Sequence, residues 1–197
     1  MVKHFILSNK KNWKVVILFL NHYQMKTNIL FLAFVLSAII TGCNKAGVSF
    51  LISNQADFRI ESSSPFNLPF EIGTPDVTTN SSQEFQNNNT SANLIKEVKL
   101  EELKLSITSP GGKTFSFLKS VQIFISTTSS DEIELAGLDN IASSASTISL
   151  NTSTQNLDKY VKASSYKLRT KVVTKETLTQ AVDIRASIKF RIKASPL

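Results

Sequence analysis

Residues 43–197 contain no histidine, no tryptophan and no methionine, and their single cysteine is Cys43. Because a second cysteine is missing, no disulfide can form within this part of the chain. Without histidine it can build neither a Cys/His metal site nor a Ser-His-Asp or Cys-His catalytic site. Gly111-Gly112 is not followed by the Lys-Ser/Thr pair of a phosphate-binding loop. We therefore predict that the chain is not an enzyme and holds no metal and no cofactor.

Two adjacent carboxylate pairs, Glu101-Glu102 and Asp131-Glu132, are the remaining candidates for acid–base chemistry. Glycoside hydrolysis uses two carboxyl groups that flank the bond to be cleaved. Neighbouring residues of a strand point to opposite faces of the sheet. The sequence therefore predicts solvated strand residues here rather than a catalytic pair.

Negative charge is absent from the first 42 residues, which contain five lysines. These five account for most of the net charge of +7, because the other 17 basic residues are set against 15 acidic ones. The net charge of +2 that remains argues against a general affinity for nucleic acid. We predict no nucleic-acid partner.

A charged start, an apolar run and small residues follow one another between Met25 and Cys43. Lys26 is followed by an apolar run over residues 29–40, which is shorter than the roughly 20 residues of a transmembrane helix. This order is typical of a secretory signal peptide. We predict a helical signal peptide over residues 25–42. Residues 1–24 are interpreted as an extension upstream of a true start at Met25, the alternative being an unusually long positive end.

The four residues Ile40-Thr41-Gly42-Cys43 resemble the lipobox of bacterial lipoproteins. The resemblance implies cleavage between Gly42 and Cys43 and attachment of diacylglycerol to Cys43, so that lipid holds the protein on a membrane. Residues 43–47 would be a lipidated tether. In such lipoproteins an Asp after the cysteine favours the inner membrane, and this chain has Asn44. Bacteroidota surface lipoproteins often have acidic residues just after the cysteine, and this chain has none there. We therefore expect the protein to be anchored in the outer membrane and to face the periplasm. The alternative is an ordinary signal peptide, or an internal apolar helix with a chance cysteine.

Apolar and polar residues alternate with period two in several segments, which predicts strands with one buried face. The clearest are residues 182–192 and 166–172, with residues 174–180 as a hairpin loop between them. Phase breaks at Glu101-Glu102 and at Lys119 predict β-bulges. Further predicted elements are strands near residues 48–60, 65–72, 98–108, 115–125, 132–138 and 147–151, a turn at 109–112 and one helical turn at 155–161.

About eight strands without a long amphipathic helix predict an all-β protein, with one β-sandwich over residues 48–197. The pattern resembles the immunoglobulin-like sandwiches of Bacteroidota lipoproteins, although a core Trp and a disulfide are missing. Residues 78–93 are almost entirely Thr, Asn, Ser and Gln. Their composition predicts an exposed, mobile polar loop.

A basic face is predicted if the last two strands pair. Its members would be Lys167, Arg169, Lys171, Arg185, Lys189, Arg191 and Lys193. Such a face is either a docking surface for an anionic polysaccharide, lipid headgroups or an envelope protein, or a solvated face paired with acidic neighbours that deters aggregation.

Two functions remain open. The first is a lipid-anchored, non-enzymatic structural or interaction protein of the bacterial cell envelope. The alternative is a lipid-anchored glycan-binding module, which needs exposed aromatic rings. Phe66 and Phe70 are the candidates for that role, whereas Tyr166 lies on the predicted core face and Tyr160 near the predicted helical turn.

Overall fold

A computed structural model describes residues 47–197. The predicted signal peptide, the cleavage site at Gly42 and the lipid attachment site Cys43 lie outside the described residues. Within residues 47–197, no helix has the length and apolarity that a membrane crossing requires.

The described residues form ten strands and two short helices. The strands are β1 (Val48–Ile60), β2 (Pro69–Gly73), β3 (Val77–Thr78), β4 (Ile95–Ser109), β5 (Leu118–Ser126), β6 (Ile133–Leu138), β7 (Thr147–Ser149), β8 (Asn151–Thr152), β9 (Ser165–Thr174) and β10 (Val182–Ala194). The helices are α1 (Ser81–Asn87) and α2 (Asp158–Lys162), and single 3-10 turns cover Ala92–Leu94 and Phe115–Phe117.

Two antiparallel sheets pack face to face as a β-sandwich, which confirms the mainly-β prediction. The first sheet has the strand order β1-β10-β4-β7, and the second has the order β2-β9-β5-β6-β8 with β3 paired to β9. The sequence predicted about eight strands, and the additional ones are the two-residue strands β3 and β8.

The core lies between the sheets and contains the side chains that the period-two pattern selects. Every second residue of β10 from Val182 to Ala194 is buried, including Ile184, Ile188 and Phe190, while the residues that alternate with them face outward. Tyr166 of β9 and Phe190 of β10 meet edge to face across the sandwich, with ring centroids 6.2 Å apart. Apolar alternation thus determines which face of each strand is excluded from water.

Both predicted bulges are present. Lys189 pairs with Glu102 and Phe190 with Leu100, so Glu101 is the extra residue of β4. Leu118 pairs with Thr174 and Ser120 with Val173, so Lys119 is skipped in the pairing of β5 with β9. A bulge restores the apolar phase after an extra residue, which is why the sequence indicated its position.

The prediction that the last two strands pair is wrong. β9 lies between β2 and β5 in the second sheet, and β10 lies between β1 and β4 in the first. The segment between β9 and β10 therefore joins the two sheets and is not a hairpin loop. Alternation determines the buried face of a strand, but two strands with equally apolar faces can pair side by side or pack face to face.

The predicted mobile loop over residues 78–93 is also wrong in part. Strand β3 ends at Thr78, and helix α1 follows at Ser81–Asn87 with Ser81 and Phe85 buried. The Phe85 ring meets Phe50 edge to face at 6.3 Å. A single large apolar side chain is enough to dock this otherwise polar segment on the core.

Candidate functional site

The seven residues of the predicted basic face lie on two sheets. Arg185, Lys189, Arg191 and Lys193 belong to β10 in the first sheet, whereas Lys167, Arg169 and Lys171 belong to β9 in the second. The two groups alternate with the core residues of their strands, so they line the two opposite outer surfaces of the sandwich. They do not form one face.

On the first sheet, every member of the group is close to a carboxylate of a neighbouring strand. The pairs are Arg185–Asp57 at 2.8 Å, Lys189–Glu102 at 2.9 Å, Lys193–Glu97 at 2.7 Å, and Arg191–Glu101. Hydrogen bonds from the cations lower the pKa of all four carboxyl groups. For Glu102 the hydrogen bond from Lys104 lowers the pKa most, and the hydrogen bond from Lys189 has the second largest effect. Each of these four cations is therefore paired with a carboxylate and is not left free for a partner.

On the second sheet, Arg169 has two carboxylate partners. Its guanidinium donates to Glu132 at 2.6 Å and to Glu71 at 2.5 Å, and it lies 4.2 Å from the centroid of the Phe124 ring. The Arg169 hydrogen bond lowers the pKa of Glu132. Lys167 is 3.8 Å from Asp76. Within residues 47–197, Lys171 has no ion pair, unlike the other six members of the predicted basic face.

The carboxylate pairs considered from the sequence have structural partners. Glu101 and Glu102 lie on the same outer surface, not on opposite faces as predicted, because the bulge turns Glu101 to that side. Asp131 accepts the backbone N–H groups of Thr127 and Thr128 at 2.9 Å, and Glu132 binds Arg169. No group of three or more metal-ligating side chains occurs in the part of the chain that the structure describes.

The aromatic side chains are mostly core residues. Tyr166 and Tyr160 are buried as expected: the Tyr166 hydroxyl accepts from the Asn54 amide at 3.0 Å, and the Tyr160 hydroxyl donates to the Asp131 carbonyl at 2.6 Å. Burial raises the pKa of Tyr166 to about 12. Phe70 is half-buried against the core, whereas Phe66 is 56% exposed. Phe66 is therefore the aromatic ring best placed to meet a ligand.

Phe66 lines an open cavity of about 400 Å³ at one end of the second sheet. We call it the Phe66 pocket. Its other lining residues are Asn67, Lys119, Asn140, Ile141, Ala142 and Lys175. The set contains one aromatic ring, two amides and two ammonium groups, and it contains no carboxylate. Pockets that combine an apolar surface with a few convergent polar groups are the usual form of a small-ligand site.

Four separate chain segments build the Phe66 pocket, and hydrogen bonds connect them. The Asn67 N–H donates to the Thr174 carbonyl at 3.0 Å, and the Thr174 hydroxyl donates to the Pro65 carbonyl at 3.0 Å. On the other side, the Ile141 N–H donates to the Lys119 carbonyl at 3.0 Å. The pocket is therefore formed by the fold without a ligand.

Two lining residues have left-handed backbone conformations, Asn67 with φ 55° and Asn140 with φ 52°. Asn is among the few residues other than Gly that adopt this conformation readily. Two of the three such non-glycine residues in residues 47–197 thus lie at this one pocket. The conformation turns the chain sharply next to Phe66 and next to Ile141.

The bulge in β5 places Lys119 at the pocket rim. In a regular strand, the residue at position 119 would point toward the core. Because of the bulge, Lys119 is exposed instead, and its ammonium lies 3.3 Å from the Asn67 side-chain oxygen. Lys175 follows directly after β9, and its ammonium donates to the Ile141 carbonyl at 2.6 Å. The sequence pointed to Phe66 as an exposed ring and to Lys119 as a bulge, but it did not point to Lys175 or Asn67, because a loop pattern does not indicate which loops converge.

Comparison with known proteins assigns no family. No family model matches the chain, and no curated protein matches it. Among solved structures the chain is similar to Desmodium yellow mottle tymovirus, with 15% identity over 76% of this chain and 84% of that chain and a TM-score of 0.28. It is similar to FlhE, with 7% identity over 75% of this chain and 97% of that chain, and to Cocksfoot mottle virus, with 8% identity over 76% and 96%; both TM-scores are 0.28.

Proposed function

We propose that the chain is a lipid-anchored, non-enzymatic interaction protein of the bacterial cell envelope. Lipid on Cys43 would hold it on the outer membrane, facing the periplasm, and an immunoglobulin-like sandwich would be the interacting domain. The lipobox-like residues Ile40-Thr41-Gly42-Cys43 support the anchor. The observation that carries the interaction role is the outer edge of β1, which has no strand partner within residues 47–197. We call it the free edge.

Strand β1 is an edge strand of 13 residues. Within residues 47–197 its one strand partner is β10, and the pairing runs from Val48 to Ile60 without a register shift. Half of the main-chain N–H and C=O groups of such a strand point away from its partner. They offer a long, regular row of hydrogen-bonding groups to another chain.

The other edges of the sandwich are short. Strands β7 and β8 have three and two residues, β3 has two, and β2 has five. Proteins commonly protect an edge by shortness, by a bulge, by Pro or by charged side chains, Lys above all. Strand β1 is long and has no bulge, Pro or Lys; its two charged residues, Asp57 and Arg59, lie near its C-terminal end, and Leu51 on its outer face is 46% exposed. We expect an extended segment of a partner protein to add to this edge, a known mode of recognition.

The anchor is tested with Cys43→Ser. Mass spectrometry of the wild-type protein from a bacterial envelope should show an acylated N-terminal cysteine. The variant should leave the membrane fraction, because each buried methylene contributes about 0.8 kcal/mol to membrane binding and none remains without the lipid. A wild-type protein that is soluble, with a free Cys43 thiol, would contradict the anchor.

The free edge is tested by crosslinking in the envelope, with Leu51→Glu/Ser53→Glu as the edge variant. Leu51 and Ser53 lie opposite Arg191 and Lys189, so the fold should tolerate both carboxylates while they repel an added strand. The matched control is Ser187→Glu, on the same outer face but in the central strand β10. Wild type and control should capture the same partner, and the edge variant should lose it. Capture that survives in the edge variant, or crosslinks solely between copies of this chain, would contradict the proposal.

A second candidate function is glycan binding, which the Phe66 pocket favours. Sugar rings stack on exposed aromatic rings, and Phe66 lies beside two amide side chains that can bind sugar hydroxyls. The aromatic residues do not form an exposed row over residues 47–197, so the site would hold one or two sugar units. Binding to an oligosaccharide series, lost in Phe66→Ala, is the test.

A further inference from the structure

We propose that the Phe66 pocket binds a carboxylate-bearing sugar residue, with its ring on Phe66 and its carboxylate between Lys119 and Lys175. This inference rests on the second candidate function, glycan binding, and adds the charge of the ligand. It identifies an acidic polysaccharide as the class of partner.

The two lysines differ from the arginines of the sheet surfaces. Arg59, Arg169, Arg185 and Arg191 each have a carboxylate partner. Neither Lys119 nor Lys175 has an ion pair within the described residues, although both are exposed at the same cavity. Two like charges that share a pocket without a counter-ion favour an anionic ligand.

Both ammonium groups are positioned and still have free donors. Each has three N–H donors. Lys175 uses one on the Ile141 carbonyl at 2.6 Å, and Lys119 is 3.3 Å from the Asn67 side-chain oxygen. These contacts direct the two side chains toward the pocket and leave N–H donors for a ligand. A carboxylate has two oxygens and can accept hydrogen bonds from two donors at once.

The other residues that line the pocket can contact the sugar ring and its hydroxyl groups. Phe66 offers an apolar ring surface, while the backbones of Asn67 and Asn140, both left-handed, hold their amide side chains at the rim. Hydrogen bonds already hold the backbone of residues 65–67, 119, 141 and 174 in place. The loops around the pocket therefore lose little conformational freedom when a ligand binds. The cavity of about 400 Å³ has the size of a site for one or two sugar rings.

The probe is a short oligogalacturonate, compared with its fully methyl-esterified form, which has the same rings without the charge. The detergent-solubilised full chain should bind the acid form about tenfold more tightly than the ester at low salt, and the difference should shrink at 0.5 M salt. Equal binding of both forms would overturn the charge inference while leaving glycan binding intact. No binding of either form would overturn both.

Variants assign the effect to the pocket. Lys119→Gln/Lys175→Gln should reduce binding of the acid form to that of the ester, and Phe66→Ala should weaken both forms. The controls are Lys171→Gln, a half-exposed lysine of β9 without an ion pair in the described region, and Leu68→Ala, an exposed apolar residue outside the pocket. Both controls should bind like wild type. If Lys171→Gln weakens binding as much as the double variant, general surface charge is responsible and the pocket is not the site. If Lys175→Gln lowers the thermal midpoint, Lys119→Gln alone must still reduce the preference for the acid form.

Discussion

At the scale of single residues, the Asp131 carboxylate is surrounded by four donors. It accepts from the Thr127 hydroxyl, from the N–H groups of Thr127 and Thr128, and lies 3.1 Å from the Lys159 ammonium. These donors hold the pKa of Asp131 well below its usual range, and the hydrogen bond from the Thr127 hydroxyl has the largest effect. The ionised form is therefore part of the folded state, and it fixes the turn that precedes β6.

We predict that Asp131→Asn destabilises the domain in a pH-dependent way. A carboxyl with a lowered folded-state pKa contributes stability that is present above the unfolded-state pKa, about 3.9, and is lost as pH falls through the folded-state pKa. The difference in thermal midpoint between wild type and variant should therefore be larger at pH 6 than at pH 2.5. Thr127→Val keeps the carboxylate but removes its first donor, and it should raise the pKa of Asp131 in an NMR titration. An Asp131 that titrates near 3.9 in the wild type would contradict this account.

Charge reversal of Arg185 and Arg191 distinguishes pairing from partner binding. Because Asp57 and Glu101 lie beside these guanidinium groups, Arg185→Glu/Arg191→Glu places like charges side by side. We predict a thermal midpoint lower by a few degrees, with partial recovery when Asp57→Arg/Glu101→Arg is added, and a smaller loss at 1 M salt. An unchanged midpoint combined with lost retention on an anionic polysaccharide or lipid surface would instead show that these residues bind a partner.

At the scale of elements, α1 shows how one side chain decides the state of a polar segment. Its sequence Ser-Ser-Gln-Glu-Phe-Gln-Asn has one large apolar residue, and Phe85 is buried against Phe50 of β1. The following Thr90 hydroxyl donates to the Ser195 carbonyl at 2.7 Å. The helix therefore covers one end of the first sheet next to the start of β1.

We predict that Phe85→Ala lowers the free energy of unfolding by about 3 kcal/mol, since it removes a buried ring and leaves a cavity. Gln86→Ala, at an exposed position of the same helix, should change it by less than about 0.5 kcal/mol. Urea denaturation at pH 7 measures both. Equal, small effects would show that the segment behaves as the mobile loop that its composition predicts.

The two bulges are elements that the sequence does reveal. Each extra residue shifts the apolar phase by one, so Val98 and Leu100 lie out of phase with Leu103 and Leu105, and Lys119 falls where an apolar residue is expected. What the sequence does not reveal is what a bulge brings together. Glu101 joins Arg191 of β10, and Lys119 joins Phe66 from a loop far away in the chain.

At the scale of the whole molecule, one core stabilises both sheets. Side chains from β4, β5, β9 and β10 form one continuous buried cluster. A sandwich of about 150 residues removes roughly two thirds of the unfolded chain's surface from water. The domain therefore has the means to fold without its anchor.

We predict that a protein of residues 44–197 folds cooperatively and has the far-UV circular dichroism of a β protein. The two helices contribute little, because α1 has seven residues and α2 has five. Thermal unfolding followed by circular dichroism, with the full chain in detergent as control, measures both properties. A spectrum dominated by helix, or a gradual transition, would contradict the prediction.

The sequence by itself determined the local features of this protein. Composition excluded histidine and disulfide chemistry in residues 43–197. Period-two alternation predicted the buried faces of β9 and β10, and a strand was also predicted at Val48–Ile60, where β1 lies. These features follow from the side chain at each position and its immediate neighbours, so a local pattern contains them. The anchor at Cys43 and the role of the chain in the envelope stay predictions.

The tertiary structure alone decided which strands are neighbours. It placed β9 and β10 in different sheets, so the predicted basic face became two surfaces on which most of the cations have carboxylate partners. It also brought Phe66, Lys119 and Lys175 to one pocket. The physical reason is that the hydrophobic effect favours the burial of an apolar surface whichever surface covers it. An apolar strand face therefore indicates that the strand is buried on that side, but not which strands are its neighbours. The strand order depends on how the side chains of the whole core fit together.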